Sequence, residues 1–211
     1  GEGGADEVLA QIPHRARQLV AIAQHVVERA YKICDVFVGN HKRRQDADDV
    51  SHPERFARQV AYLDAHPEIG LVATGVHTIV PRVGLTDGGR RYQRWLAECV
   101  TPEDIARGLW VESPLPHPTV MMRRTAYEQA GGYQEVPWAE DYDLWLRMLR
   151  AGIVMAKIPE PLYDWVDHSG RATRTLPAYT PEAFHACRAH HLARHLDGRG
   201  AIVWGAGRDG R

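Results

Sequence analysis

The chain has 211 residues, 44% apolar and 25% charged, which is an ordinary globular make-up and enough material for one substantial core. Its 26 basic and 27 acidic side chains leave a formal net charge of -1, so no global field argues for nucleic acid or an anionic membrane. No apolar run approaches the roughly 20 residues that span a bilayer, and the acidic, glycine-rich stretch Gly1–Ala5 does not read as a secretory signal, so the expected location is cytoplasmic, with peripheral membrane association left open.

In chain order, Leu19, Val20, Ile22, Ala23, Val26, Val27 and Ala30 recur at helical spacing and predict a one-sided helix over 16–31. Ile33–Val38 reads as a short strand closed by Gly39-Asn40. The basic run His41-Lys42-Arg43-Arg44 reads as a solvated turn. Next comes Gln45-Asp46-Ala47-Asp48-Asp49-Val50, whose crowded carboxylates cannot be buried unpaired without a cost of several kcal/mol each. They belong in water or on a cation. Ser51-His52-Pro53-Glu54 has the form of a capping box with proline in the first turn, which puts the acidic cluster on a loop before a helix. From there Asp46 and Asp48 can turn toward one ligand, and all-oxygen donors suit Mg²⁺ or Mn²⁺ on a diphosphate. A solvated turn is the competing reading of the same residues.

The following helix carries Phe56, Val60, Tyr62 and Leu63 and stops at His66-Pro67. Ile69–Val80 is the most strand-like stretch of the chain, and Pro81–Arg91, with three glycines, reads as a loop. Thr101-Pro102-Glu103-Asp104 opens another helix, after which a proline-rich segment delivers His117 just before the apolar strand Thr119–Met122. A short helix, Arg124–Ala130, ends at Gly131-Gly132. Trp138-Ala139-Glu140-Asp141 opens the clearest amphipathic helix, with Tyr142, Trp145, Leu146 and Leu149 on one face and Gly152 as its stop. Two strands are expected at Ile153–Ile158 and Leu162–Trp165, joined by Pro159-Glu160-Pro161, then a polar loop containing His168 and a last helix from Thr180 to Leu196.

Ala201–Trp204 runs into Gly205-Ala206-Gly207-Arg208-Asp209-Gly210, a G-x-G-x-x-G pattern after a strand. Without a following helix it lacks the N-terminus that would hold a pyrophosphate, so it reads as the start of a second, Rossmann-like domain. Cys34, Cys99 and Cys187 are far apart and odd in number, and read as reduced. His191 and His195, one turn apart on the last helix, raise a zinc-site reading, against which surface histidines are the simpler account.

Four stretches then occur in one order: Asp46–Arg55, His117–Arg124, Gly131-Gly132-Tyr133 and Ala139–Arg147. Together they resemble the inverting nucleotide-sugar glycosyltransferases of family two, and the likeness runs from about Asp46 to Thr175. The resemblance implies an α/β fold, an incomplete mixed sheet of GT-A type flanked by helices and lacking most of the N-terminal nucleotide-binding half. It implies residues 1–45 as a remnant of that half, 46–179 as the metal and acceptor region, 180–200 as a C-terminal helix and linker, and 201–211 as the opening of the second domain.

By the same resemblance Asp46 and Asp48 look like the pair that holds Mg²⁺ or Mn²⁺, with His168 completing that site. Asp141 looks like the catalytic base, with Glu140 beside it and His117 and Trp138 toward the substrates. The implied partners are a nucleotide-sugar donor and a glycan or small-molecule acceptor, with self-association through an uncovered sheet face also open. The alternative reading is a catalytically incompetent module of the same descent that binds a glycan or a protein. An oxidoreductase, resting on the terminal glycines alone, is the remaining alternative.

Overall fold

Two long strands running side by side in the same direction carry the architecture. The computed structural model of the protein describes residues 36–38, 41–43, 49–80 and 84–200. The expected helix at 16–31, most of the acidic loop with Asp46 and Asp48, and the terminal glycine motif lie outside the described residues. Strands β1 (Val36–Val38), β2 (His41–Arg43), β3 (Val50–Ser51), β4 (Ile69–Ile79), β5 (Met121–Arg123) and β6 (Val154–Val166) form one sheet in the order β1-β2-β5-β4-β6-β3. β4 and β6 are parallel, and every other pairing is antiparallel, so the sheet is mixed as expected.

Neighbouring residues of a strand point to opposite faces, and the core divides accordingly. Leu71 and Met122 join one cluster with Tyr142, Trp145 and Leu146 of helix α5 (Glu140–Arg150), whereas Val72 and Met121 join Leu63 of helix α1 (Arg55–Ala65) in another. The sheet is therefore covered on both faces. Helices α2 (Asp87–Glu98), α3 (Pro102–Gly108), α4 (Arg124–Gln129), the single turn α6 (Ala172–Thr175) and α7 (Pro181–Leu196) complete the described elements, and α7 packs on α5. Among the described residues no helix is long and apolar enough to cross a membrane.

Local signals held where nothing distant competed with them. Thr101 and Asp104 form the reciprocal capping box, with Asp104 N–H donating to Thr101 Oγ1 at 3.2 Å and Thr101 N–H to Asp104 Oδ2 at 3.3 Å. Gly131, Gly132 and Gly152 adopt φ of +81°, +65° and +72° where the helices stop.

Four expectations are corrected. Ser51 does not cap a helix, because it pairs with Tyr163 in the sheet and its Oγ accepts from Arg55 Nε at 2.8 Å; α1 begins only at Arg55. The stretch read as a loop to Arg91 already holds the start of α2, capped by Thr86, whose Oγ1 accepts from Gly89 N–H at 3.1 Å. Residues His41–Arg43 of the basic run form a strand rather than a solvated turn, and Lys42 is buried with its ammonium over the rings of Tyr127 and Tyr133 at 3.9 and 4.4 Å. The two strands expected after Gly152 are one, β6, which bends through Pro159–Pro161 beside Gly75 of β4.

Candidate active site

The first turn of α5 is the natural place to begin. Its N-cap, Ala139, supplies no side-chain cap, while Glu140, Asp141 and Asp143 all lie in the first turn, where the helix dipole favours negative charge. Asp141 Oδ1 accepts from the Tyr142 N–H at 2.8 Å, which orients the carboxylate and turns Oδ2 toward His117 Nδ1, 3.5 Å away. The same nitrogen lies 3.8 Å from Glu140 Oε1, and Glu140 Oε2 accepts from the Tyr179 hydroxyl at 3.3 Å. Asp141 and His117 are nearly enclosed, with side-chain exposures of 12% and 8%, whereas Glu140 is at 36%.

His117 opens a single 3-10 turn, His117–Thr119, flanked by Pro116 and holding Pro118, which denies the segment a place in the sheet. Two buried polar side chains of α1 support that turn from below. Arg55 Nη1 donates to the Pro118 carbonyl at 2.6 Å, and Gln59 Nε2 donates to the Thr119 carbonyl at 2.8 Å. The Trp145 ring meets the His117 ring edge-on at 5.8 Å, and His117 Nε2 lies 2.6 Å from the Tyr133 hydroxyl. Side chains of α5 and of the turn after α4 thus converge on one imidazole, while α1 holds the turn that carries it.

Trp138 stands before this helix start, half-buried, and its indole Nε1 donates to Asp143 Oδ1 at 3.0 Å. Asp143 also receives His191 Nε2 at 2.8 Å and Arg147 Nε at 2.7 Å. Burial alone would raise its carboxyl pKa, but donors from His191, Trp138 and Arg147 outweigh it and hold the group well below the usual carboxylate range. His191 is therefore an interior residue tied to α5, neither a surface histidine nor a partner of His195 in a zinc site.

Asp46 and Asp48 fall outside the described residues, but the adjoining Asp49 is described and its role is clear. It is buried, with Oδ1 accepting from the Val166 N–H at 2.8 Å and from Arg171 Nη1 at 3.2 Å, and Oδ2 accepting from the Tyr163 hydroxyl at 3.1 Å. Its oxygens join the end of β6 to the loop that follows. That loop carries His168, which is exposed and whose Nδ1 accepts from the Gly170 N–H at 3.2 Å. The Arg55 guanidinium lies over the Tyr163 ring at 4.8 Å, so a continuous set of contacts runs from Asp49 through Tyr163 and Arg55 to Pro118, next to His117.

Among the described residues one trio of metal-ligand types has its atoms close together: Asp143, Cys187 and His191. It does not suit a hard cation on a diphosphate. The carboxylate already holds three donors, one of them a guanidinium, and burial, with the charges of Asp143 and Asp141, pushes the Cys187 thiol up to about 12. The free cysteines Cys99 and Cys187 are buried, in keeping with the reduced state expected.

The structure brings Glu140, Asp141 and His117 into mutual contact and holds Trp138 through Asp143. Sequence reasoning missed Arg171 and the supporting roles of Arg55, Asp143 and His191, because Arg171–Asp49, Arg55–Pro118 and His191–Asp143 join positions remote in the chain, and it marked Tyr133 only as the end of the Gly-Gly-Tyr motif.

Residues 13–195 match the family described as "Glycosyltransferase like family 2". The chain is 31% identical over 179 residues to EpsE of Bacillus subtilis (strain 168), assigned as a glycosyltransferase, covering 82% of this chain and 58% of that protein. It is 32% identical over 119 residues to the amylovoran biosynthesis glycosyltransferase AmsE of Erwinia amylovora, covering 56% of this chain and 42% of that one. In fold it is similar to the crystal structure of S. aureus TarS 1-349 in complex with UDP-GlcNAc, with a TM-score of 0.50 at 17% identity, over 77% of this chain and 50% of that chain. The chain spans about half the length of these proteins.

Proposed function

The chain belongs to the glycosyltransferase-like family 2, and from that premise we propose that it transfers a sugar from a nucleoside diphosphate donor to an acceptor hydroxyl with inversion, Asp141 acting as general base. The observation that carries this reading is the aim of one oxygen. Asp141 Oδ1 is tethered by a backbone N–H, which leaves Oδ2 facing the His117 side of an enclosed wall. A sugar hydroxyl is a poor nucleophile, and a carboxylate that accepts its proton as the new bond forms contributes roughly 10²- to 10⁴-fold. One base on one face of the donor favours attack opposite the leaving group, hence inversion.

Asp46 and Asp48 are the donors suited by chemistry to Mg²⁺ or Mn²⁺, with His168 as a third candidate ligand. When bound, such a cation offsets the charge that grows on the departing diphosphate. Glu140, held by Tyr179, and Trp138, held by Asp143, form the acceptor side of the site.

The reading is tested by incubating the chain with UDP- and GDP-sugars, Mn²⁺ and a panel of glycan acceptors, following release of the nucleoside diphosphate. Asp141→Asn is expected to lower kcat by roughly 10²-fold or more while donor binding by titration calorimetry is unchanged. Asp48→Ala should abolish Mn²⁺-dependent donor binding. Unimpaired turnover by Asp141→Asn would remove the base from this assignment.

A further inference from the structure

Three neighbouring strands bring two imidazoles to one carboxylate, in residues that the sugar-transfer reading does not use. Asp164 of β6 is paired with Val50 of β3 on one side and with His77 of β4 on the other. Paired residues present their side chains on the same face of a sheet, and residues two apart in a strand return to that face. His52 stands two positions after Val50, and its N–H donates to the Leu162 carbonyl at 3.0 Å, which keeps it in line with β6 just beyond the end of β3. His52, Asp164 and His77 therefore share one face.

The side chains meet as this pairing requires. His77 Nδ1 lies 3.4 Å and His52 Nε2 3.6 Å from the same oxygen, Asp164 Oδ1. That is close to the spacing of neighbouring ligands around a tetrahedral ion, since metal–ligand bonds of about 2.0–2.2 Å set two donors roughly 3.3–3.6 Å apart. The imidazoles flank the oxygen and do not yet meet each other, so closing the trio takes a turn of one ring. Side-chain exposures of 63% for His77, 38% for His52 and 25% for Asp164 leave room for that turn and a path from solvent. The trio of Asp143, Cys187 and His191 differs on both counts, being buried, with its carboxylate already holding three donors.

We propose that His52, His77 and Asp164 form a binding site for a borderline transition-metal ion, Zn²⁺ first among them, through two imidazole nitrogens and one carboxylate oxygen, with solvent in the fourth position. Imidazole suits Zn²⁺ and Co²⁺, whereas Mg²⁺ keeps to oxygen donors and its own waters. The site is thus separate in chemistry from Asp46 and Asp48, and it stands whether or not Asp141 is the base. Its effect follows from the sheet order. β3 is an edge strand of two residues, and it follows directly on the acidic loop. An ion shared by His52, Asp164 and His77 fastens that edge to the two long strands, β6 and β4, and so holds the segment from which the loop emerges.

The experiment is titration calorimetry of the EDTA-stripped full chain with ZnCl₂ at neutral pH, with the visible spectrum of the Co²⁺ form beside it. Wild type is expected to bind Zn²⁺ in competition with Co²⁺ but not with excess Mg²⁺, and to gain Tm as Zn²⁺ is added. His52→Gln, His77→Gln and Asp164→Asn should each weaken binding by about tenfold or more and lose the Zn²⁺-dependent gain in Tm, whereas Asp48→Ala should keep both. Histidine modification by diethyl pyrocarbonate, mapped by mass spectrometry, gives the wild-type counterpart: Zn²⁺ should protect His52 and His77 and leave the exposed His66 and His195 reactive. Absence of Zn²⁺ binding in wild type overturns the proposal and leaves two ordinary surface ion pairs. So does binding that either histidine variant leaves intact, or protection that falls on other histidines, which would mark adventitious capture only. Failure of the sugar-transfer reading shows separately, as an active Asp141→Asn.

Discussion

Arg171 reaches Asp49 inside the protein, Nη1 to Oδ1 at 3.2 Å, across 122 positions of sequence. The pair ties the end of the acidic loop to the loop that carries His168, and the carboxylate also accepts from the Tyr163 hydroxyl and the Val166 N–H. Breaking such a pair from one side leaves the other charge buried, which costs about 3–5 kcal/mol. Asp49→Ala should lose about that much stability in urea unfolding. Asp49→Asn, whose remaining oxygen still accepts from the Val166 N–H and whose NH2 can donate to the Tyr163 hydroxyl oxygen, should lose less. Equal, small losses in both would mean that the charge at this position contributes little.

The Asp143 group makes a prediction in acid. Its carboxyl is held below the usual range by His191, Trp138 and Arg147, so at a pH just under the ordinary carboxylate value the unfolded chain binds this proton and the folded chain does not. The stabilisation is therefore present above about pH 4 and is lost as pH falls toward the folded value. Asp143→Asn should flatten the acid limb of the stability curve relative to wild type. Trp138, whose indole N–H donates to this carboxylate, should change its fluorescence as the group titrates in wild type, and Trp138→Phe provides the control that isolates that signal.

The contrast between Thr101 and Ser51 explains how much was legible in the sequence. Both open a capping-box pattern, but only Thr101 has no competing partner, whereas Ser51 is drawn into pairing with Tyr163 and its hydroxyl is taken by Arg55. The burial of Lys42 is invisible in the local pattern for a related reason, since it depends on the Tyr127 and Tyr133 rings supplied much later in the chain. The carboxylates at the start of α5 follow from local pattern, and the mixed sheet from the family resemblance of the four motif stretches. The Asp49 network and the His191 contact of Asp143 do not, because pairings across the fold leave no periodic trace.

Gly75 is a case where the need for glycine became visible only in three dimensions. A Cβ there would lie 2.5 Å from the Pro159 carbonyl oxygen and 2.9 Å from that of Glu160, both backbone atoms of the bend in β6. Gly75→Ala must push the parallel strands apart, with an expected loss of about 1–3 kcal/mol. Thermal unfolding measures it. A variant as stable as wild type would show that the bend yields freely.

Lys157 makes the opposite kind of pH prediction. It is buried on β6, with its ammonium donating to the Leu96 carbonyl at 2.7 Å, and burial lowers its pKa from 10.5 to about 8. Between those two values the unfolded chain holds the proton and the folded chain has released it, so this group makes stability rise with pH across that window. The ceiling is about 3 kcal/mol, at roughly 1.4 kcal/mol per unit. Cys187 acts in the other direction, because burial raises its thiol from 9.0 to about 12 and the unfolded thiol ionises first. The wild-type curve alone therefore mixes the two. Lys157→Met removes one term and leaves the other, so its stability relative to wild type should be most favourable near pH 7 and should decline steadily by about pH 10. Urea unfolding of both proteins at several values across that range measures the difference. A flat difference would mean that Lys157 titrates alike in the folded and unfolded chains, and that its burial does not disfavour the charge.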